Sequence, residues 1–249
     1  MPNDAIEKMT KPSNGDLLHC HLARWQTTTL GTPIELFASA QLSELKNSKP
    51  ILLMGGIHGD EPEGVRLAND TLKWLKSNTT STEKPRCPWI LIPCLNVDGF
   101  KIKTRVNARG VDLNRNYPST DWSSEARAER YFPGSGPASE IEIKAVVDLI
   151  RDFQPRLMIH CHSWNPCIVG TGAPAIVDTQ RLASASGYEG RDDIGYPTPG
   201  SLSSYGWFDK KIPVICIEES DQIKDHDLIW PRFQNGICEI FEDLSMRSS

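Results

Sequence analysis

The sequence predicts an α/β protein in which a mixed, largely parallel central sheet lies between layers of helices. Three observations predict it. Four short apolar runs, Ile51–Met54, Trp89–Leu95, Leu157–Cys161 and Val214–Ile217, lack polar alternation, as strands covered on both faces do. Stretches with helical spacing of apolar residues stand between them, and strands alternating with helices favour a parallel sheet. The 249 residues, 39% of them apolar, suffice for one sizeable core. No repeat or compositional break divides them, so residues 1–249 read as a single domain.

In chain order, residues 1–18 are polar and expected to be lightly attached. His21–Thr29 and Ile34–Ala38 read as strands broken by the turn Leu30-Gly31-Thr32-Pro33. After the run Ile51–Met54 and the loop Gly55–Glu61, Pro62 suits a first helical position, and Val65, Leu67, Ala68, Leu72 and Leu75 recur at helical spacing to Ser77. Residues 79–86 read as a surface connection. Asn96-Val97-Asp98-Gly99 turns the chain out of the second buried run. Residues 99–138 show little periodicity and are rich in Arg, Asn, Gly and Pro, which suggests a functional loop. Ser139-Glu140-Ile141-Glu142 has the form of a capping box, opening a helix to about Phe153 that Pro155 stops. A weaker helix is expected over Asp178–Ser186, and an amphipathic one over Leu228–Leu244.

Composition excludes several function classes. A net charge of −5 argues against nucleic acid or an anionic membrane surface as partner. No apolar run approaches the roughly 18 residues of a membrane span, and Met1–Glu7 lacks the basic start and apolar core of a signal peptide. The seven cysteines are an odd number without a Cys-x-x-Cys pair. Cys94, Cys161 and Cys216 sit inside apolar runs, where a thiol acts as a small hydrophobe. Reduced thiols and a cytoplasmic setting follow. Gly55-Gly56-x-x-Gly59 has the wrong spacing for a dinucleotide loop.

Chemistry concentrates where apolar runs end. His58, Asn96, His162 and Glu218 each follow such a run, and ligands in α/β sheets gather at the carboxyl ends of strands. These four are expected to converge on one cleft. His58 and Glu61, three apart, form a pair of zinc ligands, since hydrolytic zinc takes imidazole nitrogen and carboxylate oxygen from three side chains and leaves a position for water. The third ligand is His160 or His162, which share a strand face. His162, at the end of the run, is favoured, with His160 behind it. Glu218 is the candidate general base, with Glu219 adjacent as the alternative. Arg105, Arg109 and Arg115 offer planar cations for a carboxylate or a polarised carbonyl.

Val111-Asp112-Leu113-Asn114-Arg115-Asn116, with His58-x-x-Glu61 before it and His162-Ser163 after it, resembles the zinc carboxypeptidase superfamily, over about Ile51 to Glu219. That resemblance implies an α/β/α metallopeptidase with one zinc ion on His58, Glu61 and His162. It implies that Asn114 and Arg115 hold the terminal carboxylate of a small peptide, that Arg105 polarises the scissile carbonyl, and that Glu218 is the base. Tyr196, 22 residues before Glu218, matches a tyrosine that closes over substrate. The family often carries an acid or a small residue where His160 stands. Within the superfamily, Tyr196-x-Thr198-Pro199-Gly200-Ser201 and the compact length are similar to the murein peptide amidase branch, which cuts the bond between γ-D-glutamate and meso-diaminopimelate in recycled cell-wall peptides. The far end of diaminopimelate is then expected near residues 201–204 and Asp192 or Asp193.

Three other readings share part of the pattern. Aspartoacylase- and succinylglutamate desuccinylase-like deacylases carry Gly-Gly-x-His-Gly-x-Glu, here Gly55–Glu61, but normally add a carboxyl-terminal β domain. A carboxypeptidase for ordinary C-terminal residues uses the same machinery. A non-catalytic peptide-binding protein would not need the full set of ligands and base.

Overall fold

Every residue of the run Ile51–Met54 is buried, as its lack of alternation predicts, because helices cover the sheet on both sides. The structure, a computed structural model, describes residues 20–77 and 87–243. The expectations for residues 1–18, for the connection 79–86 and for Leu244 lie outside the described residues. The strands are β1 (Cys20–Thr27), β2 (Pro33–Ala38), β3 (Ile51–Gly55), β4 (Trp89–Ile92), β5 (Leu157–Trp164), β6 (Cys167–Thr171), β7 (Glu189–Arg191) and β8 (Val214–Ser220). They form an eight-stranded sheet in the order β1-β2-β4-β3-β5-β8-β6-β7. The centre, β4-β3-β5-β8, is parallel, while β2 and β6 run antiparallel to β4 and β8.

Alternation along the central strands sorts side chains into two cores. Ile51, Leu53, Ile159, Cys161, Ile215 and Ile217 face one side, beneath α1 (Pro62–Ser77), with α5 (Ile229–Glu242) packed there too. Leu52, Met54, Met158 and Val214 face the other, against Ile143, Val146 and Ile150 of α3 (Ile141–Phe153). A fully buried Leu or Ile contributes about 1.5–3 kcal/mol, so a one-residue slip of a central strand would be prohibitive. The same alternation puts His160, His162, Cys216 and Glu218 on the face of Met158 and Val214, where that second core gives way to a cleft.

The structure differs from the sequence reading at several points. The regular strand in the run Trp89–Leu95 ends at Ile92, because Pro93 has no N–H to donate, and backbone bonding resumes only with Leu95 N on the Gly55 carbonyl at 3.0 Å. Cys94 therefore lies beyond the strand. Asn96 does not turn toward the cleft. It caps α2 (Val97–Ile102), accepting from Gly99 N at 3.0 Å while its Nδ2 donates to the Arg105 carbonyl at 3.1 Å. The capping box at Ser139 does not form. Glu140 occupies the cap position, and Asn116 Oδ1 accepts from its backbone N–H at 3.1 Å. Strands β6 and β7 escape the sequence reading; β7, at the edge, has only three residues, and Glu189-Gly190-Arg191 is exposed with no apolar pattern. The weaker helix is α4 (Ile176–Ser186), which starts two residues early. Among the described residues no helix is long and apolar enough to cross a membrane, and all seven cysteines are free.

Candidate active site

The ends of β3, β5 and β8 open into a cavity of about 620 Å³. His58 and Glu61 reach it from the loop after β3. Pro62 starts α1 directly behind them, and Gly64 lets that helix approach β5, since a Cβ there would lie 2.2 Å from the Cys161 carbonyl oxygen. No larger residue would allow the helix to hold Glu61 against His162.

Three side chains meet here. His58 Nδ1 lies 2.8 Å from Glu61 Oε1, and His162 Nδ1 lies 2.8 Å from Glu61 Oε2 and 3.0 Å from His58 Nδ1. Their ligand atoms all lie within 4.8 Å of one another, and all three residues are buried. Asp112 Oδ1, 3.1 Å from His58 Nε2, can only accept. The His58 proton therefore sits on Nε2 and the Nδ1 lone pair faces the triad. His162 Nε2 lies 2.8 Å from His160 Nδ1. With that proton on His162 Nε2, a second lone pair joins the first, and His160 holds its own proton on Nε2, which has no partner among the described residues. Two imidazole lone pairs and a carboxylate, brought together without a proton between the nitrogens, fit a divalent cation of zinc type.

Burial lowers the His58 pKa, but the Glu61 and Asp112 charges outweigh it and raise it, as two carboxylates against one imidazole do. Burial alone would raise the Glu61 pKa, but His58 and His162 hold it well below the usual range. Burial lowers His162, despite Glu61, and lowers His160 far below its usual value, so both stay neutral. Asp112 is also held low against burial by His58 and Arg105. It accepts from Arg105 Nε at 2.9 Å and from Asn114 N at 2.9 Å, and so ties one metal-side imidazole to the arginine loop.

Glu218 and Glu219 point to opposite faces of β8. Glu219 is taken by Tyr188 and by Arg232 Nη1 at 2.5 Å. Glu218 lines the cavity, with Oε1 accepting from Cys216 Sγ at 3.4 Å and Oε2 without a partner among the described residues. Burial and the Glu61 charge push its pKa up to about 8. A divalent cation beside it would reverse the second influence.

Arg105, Asn114, Arg115 and Tyr196 also line the cavity, whereas Arg109 turns away to Glu140, 3.5 Å off. Asn114 Oδ1 accepts from Leu202 N at 3.0 Å. The segment Thr198–Leu202 lies on the arginine loop through Gly200, at φ +71°, where a Cβ would sit 2.2 Å from the Arg115 carbonyl oxygen. Of residues 201–204, Leu202 faces the core. Ser201 bonds the Ser204 backbone N–H, and Ser204 bonds Asp121, which leaves Ser203 the least engaged. Asp192, Asp193 and Asp221 line the cavity as well.

Sequence reasoning missed Asp112, whose signal was the need of so many nearby arginines for a buried counter-charge. It also missed Arg127, Arg130 and Tyr131, which line the same cavity from a loop without motif.

Residues 19–174 match the family model for zinc carboxypeptidase. The chain belongs to the zinc carboxypeptidase family. It is 30% identical over 187 residues to murein peptide amidase A of Escherichia coli K12, covering 71% of this chain and 72% of that protein. Its fold is similar to the crystal structure of murein-tripeptide amidase MpaA from Escherichia coli O157, with TM-score 0.71 and 25% identity over 92% of this chain and 93% of that one. It is also similar in fold to carboxypeptidase A from Helicoverpa armigera, with TM-score 0.75 and 16% identity over 93% of this chain and 69% of that one. As a zinc carboxypeptidase family member the chain is a hydrolase, and the family implies zinc at a site of metallopeptidase type.

Proposed function

We propose that this chain is a single-domain, one-zinc amidase that hydrolyses the bond between γ-D-glutamate and meso-diaminopimelate in murein peptides. His58, Glu61 and His162 hold the ion. Bound there, zinc supplies the Lewis acidity that makes water a nucleophile near neutral pH.

The protein's own groups do the rest. Glu218 Oε2, buried and unpartnered, takes the proton of the attacking water and returns it to the leaving amine. Arg105, fixed by Asp112, stabilises the charge that develops on the carbonyl oxygen. Asn114 and Arg115 bind the carboxylate next to the new amine, and Tyr196 covers it. The observation that carries the reading is the polarity of the cleft. Arg105, Arg115, Arg127 and Arg130 line it together with Asp192, Asp193 and Asp221, acids that suit the ammonium at the far end of diaminopimelate. The likeness to murein peptide amidase A supports the same substrate. Seven free thiols suit a reducing, cytoplasmic setting, in which the same activity would serve peptidoglycan recycling.

The test is a substrate panel with zinc-loaded protein: L-Ala-γ-D-Glu-meso-diaminopimelate, α-linked peptides ending in ordinary L-residues, and acetyl- and succinyl-amino acids. Preferred cleavage of the murein tripeptide is expected. Preference for α-linked peptides would make the chain an ordinary carboxypeptidase, and preference for acyl-amino acids a deacylase.

A further inference from the structure

Four guanidinium groups surround one tyrosine ring. The guanidinium carbons of Arg105, Arg115, Arg127 and Arg130 lie 5.0, 5.8, 4.0 and 5.5 Å from the centroid of Tyr131. A ring face attracts cations but has no net charge, so it cannot neutralise them. Carboxylates account for only two. Arg105 pairs with Asp112 at 2.9 Å and Glu61 at 3.4 Å, and Arg130 reaches Asp60 at 3.5 Å. Arg115 bonds the Asn114 carbonyl at 2.6 Å, and neither it nor Arg127 has a carboxylate within ion-pair distance among the described residues. Burial and the charges of Arg105 and Arg127 lower the Arg115 pKa despite Asp112, so the repulsion is felt inside the cleft. Nor is Arg127 a loose surface charge. It is held by a second ring, with Tyr196 at 4.5 Å, and Tyr196 is braced edge-on by Trp164 at 5.7 Å.

The cleft is therefore prepared for two anionic groups, and the proposed function places only one, the carboxylate on Asn114 and Arg115. We infer that Arg127, with Arg130 beside it, forms a second carboxylate site that takes the free α-carboxylate of the γ-linked D-glutamyl residue, on the acyl side of the scissile amide. This rests on the murein reading. A γ-linked glutamate carries a carboxylate beside the reacting carbonyl chain that an α-linked residue lacks, and the ring shared by Arg105, Arg115 and Arg127 puts both carboxylate sites within one residue of the polarised carbonyl. The far carboxylate of diaminopimelate is the other source of the same chemistry.

The experiment compares kcat/KM of zinc-loaded wild type, Arg127→Gln and Arg127→Lys on three tripeptides: the parent acid, its isoglutaminyl form with the glutamyl α-carboxylate amidated, and a form amidated at the far carboxylate of diaminopimelate. Wild type is expected to prefer the parent over the isoglutaminyl form by about 10- to 100-fold, the range of a charge-assisted hydrogen bond. Arg127→Gln should reduce that ratio to about unity, Arg127→Lys should restore part of it, and sensitivity to far-end amidation should persist in both. An unchanged isoglutaminyl ratio in Arg127→Gln overturns the assignment while the murein reading stands. Loss of far-end sensitivity instead transfers Arg127 to diaminopimelate and also overturns it. If wild type cleaves none of the three yet cleaves α-linked peptides, the murein reading itself fails and takes this inference with it.

Discussion

The two sides of the cleft are built on different principles. At the metal corner, His58, Glu61 and His162 sit at or just after the ends of central strands, buried and in contact with one another, and the buried Asp112 of the arginine loop braces His58 from behind. On the arginine side, Arg127 and Arg130 come from an exposed loop and Tyr131 is partly open, while Arg115 and Arg127 lack carboxylate partners among the described residues. A metal site requires donors fixed within a few tenths of an ångström, and only sheet and helix backbones packed as tightly as Gly64 against Cys161 supply that rigidity. A recognition surface gains instead from keeping its charges unsatisfied until the anion arrives. The difference teaches that order and spare binding capacity are placed in separate parts of one pocket.

The comparison can be broken or sharpened by experiment, the largest effects first. His162→Ala, or removal of metal by a chelator, should abolish turnover and leave no stoichiometric zinc by elemental analysis. A chelator-resistant hydrolysis would remove the basis for a metal corner. Glu218→Gln should lower kcat by about 10²–10⁴, the usual contribution of a general base, with zinc content and KM retained; activity within tenfold of wild type would mean that another group takes the proton. Asp112→Asn weakens the support of His58 and should cost about 10–100-fold in zinc affinity, as loss of a ligand's hydrogen-bond partner does, read by competition with a chromogenic chelator. On the opposite side, Arg115→Gln should act on KM by about tenfold or more and leave zinc affinity alone; a loss of metal would erase the distinction between the two regions. The smallest effect is that of salt. Raising ionic strength from about 0.05 to 0.5 M should raise KM severalfold through screening of the exposed arginines, while zinc binding stays within twofold.

Legibility in the sequence follows the same division. His58, His162 and Glu218 could be placed at strand ends because each follows an apolar run, and Glu61 could be placed beside them by its three-residue spacing from His58. Asn96 stands in the same kind of position and was misread. Its side chain caps α2, and whether a strand-end residue faces a cleft or a backbone N–H depends on the next turn of chain. Glu219 shows the converse case, since a single residue of register separates it from Glu218 and its partners Tyr188 and Arg232 are distant in sequence. Arg127 and Tyr131 carry no periodicity or motif, and their approach to Tyr196 and Arg115 arises from long loops folded over one another.

Short-range order thus determined the central strands, the long helices and the candidate metal-side donors, because apolar periodicity and residue chemistry are local properties of the chain. Tertiary structure alone decided that the Asp112 carboxylate stands behind His58, that Glu219 is bound elsewhere, and that four arginines share one ring. Those facts depend on side chains from separate turns and loops of the chain reaching within hydrogen-bond or ring-contact distance, and no local pattern encodes a distance of that kind.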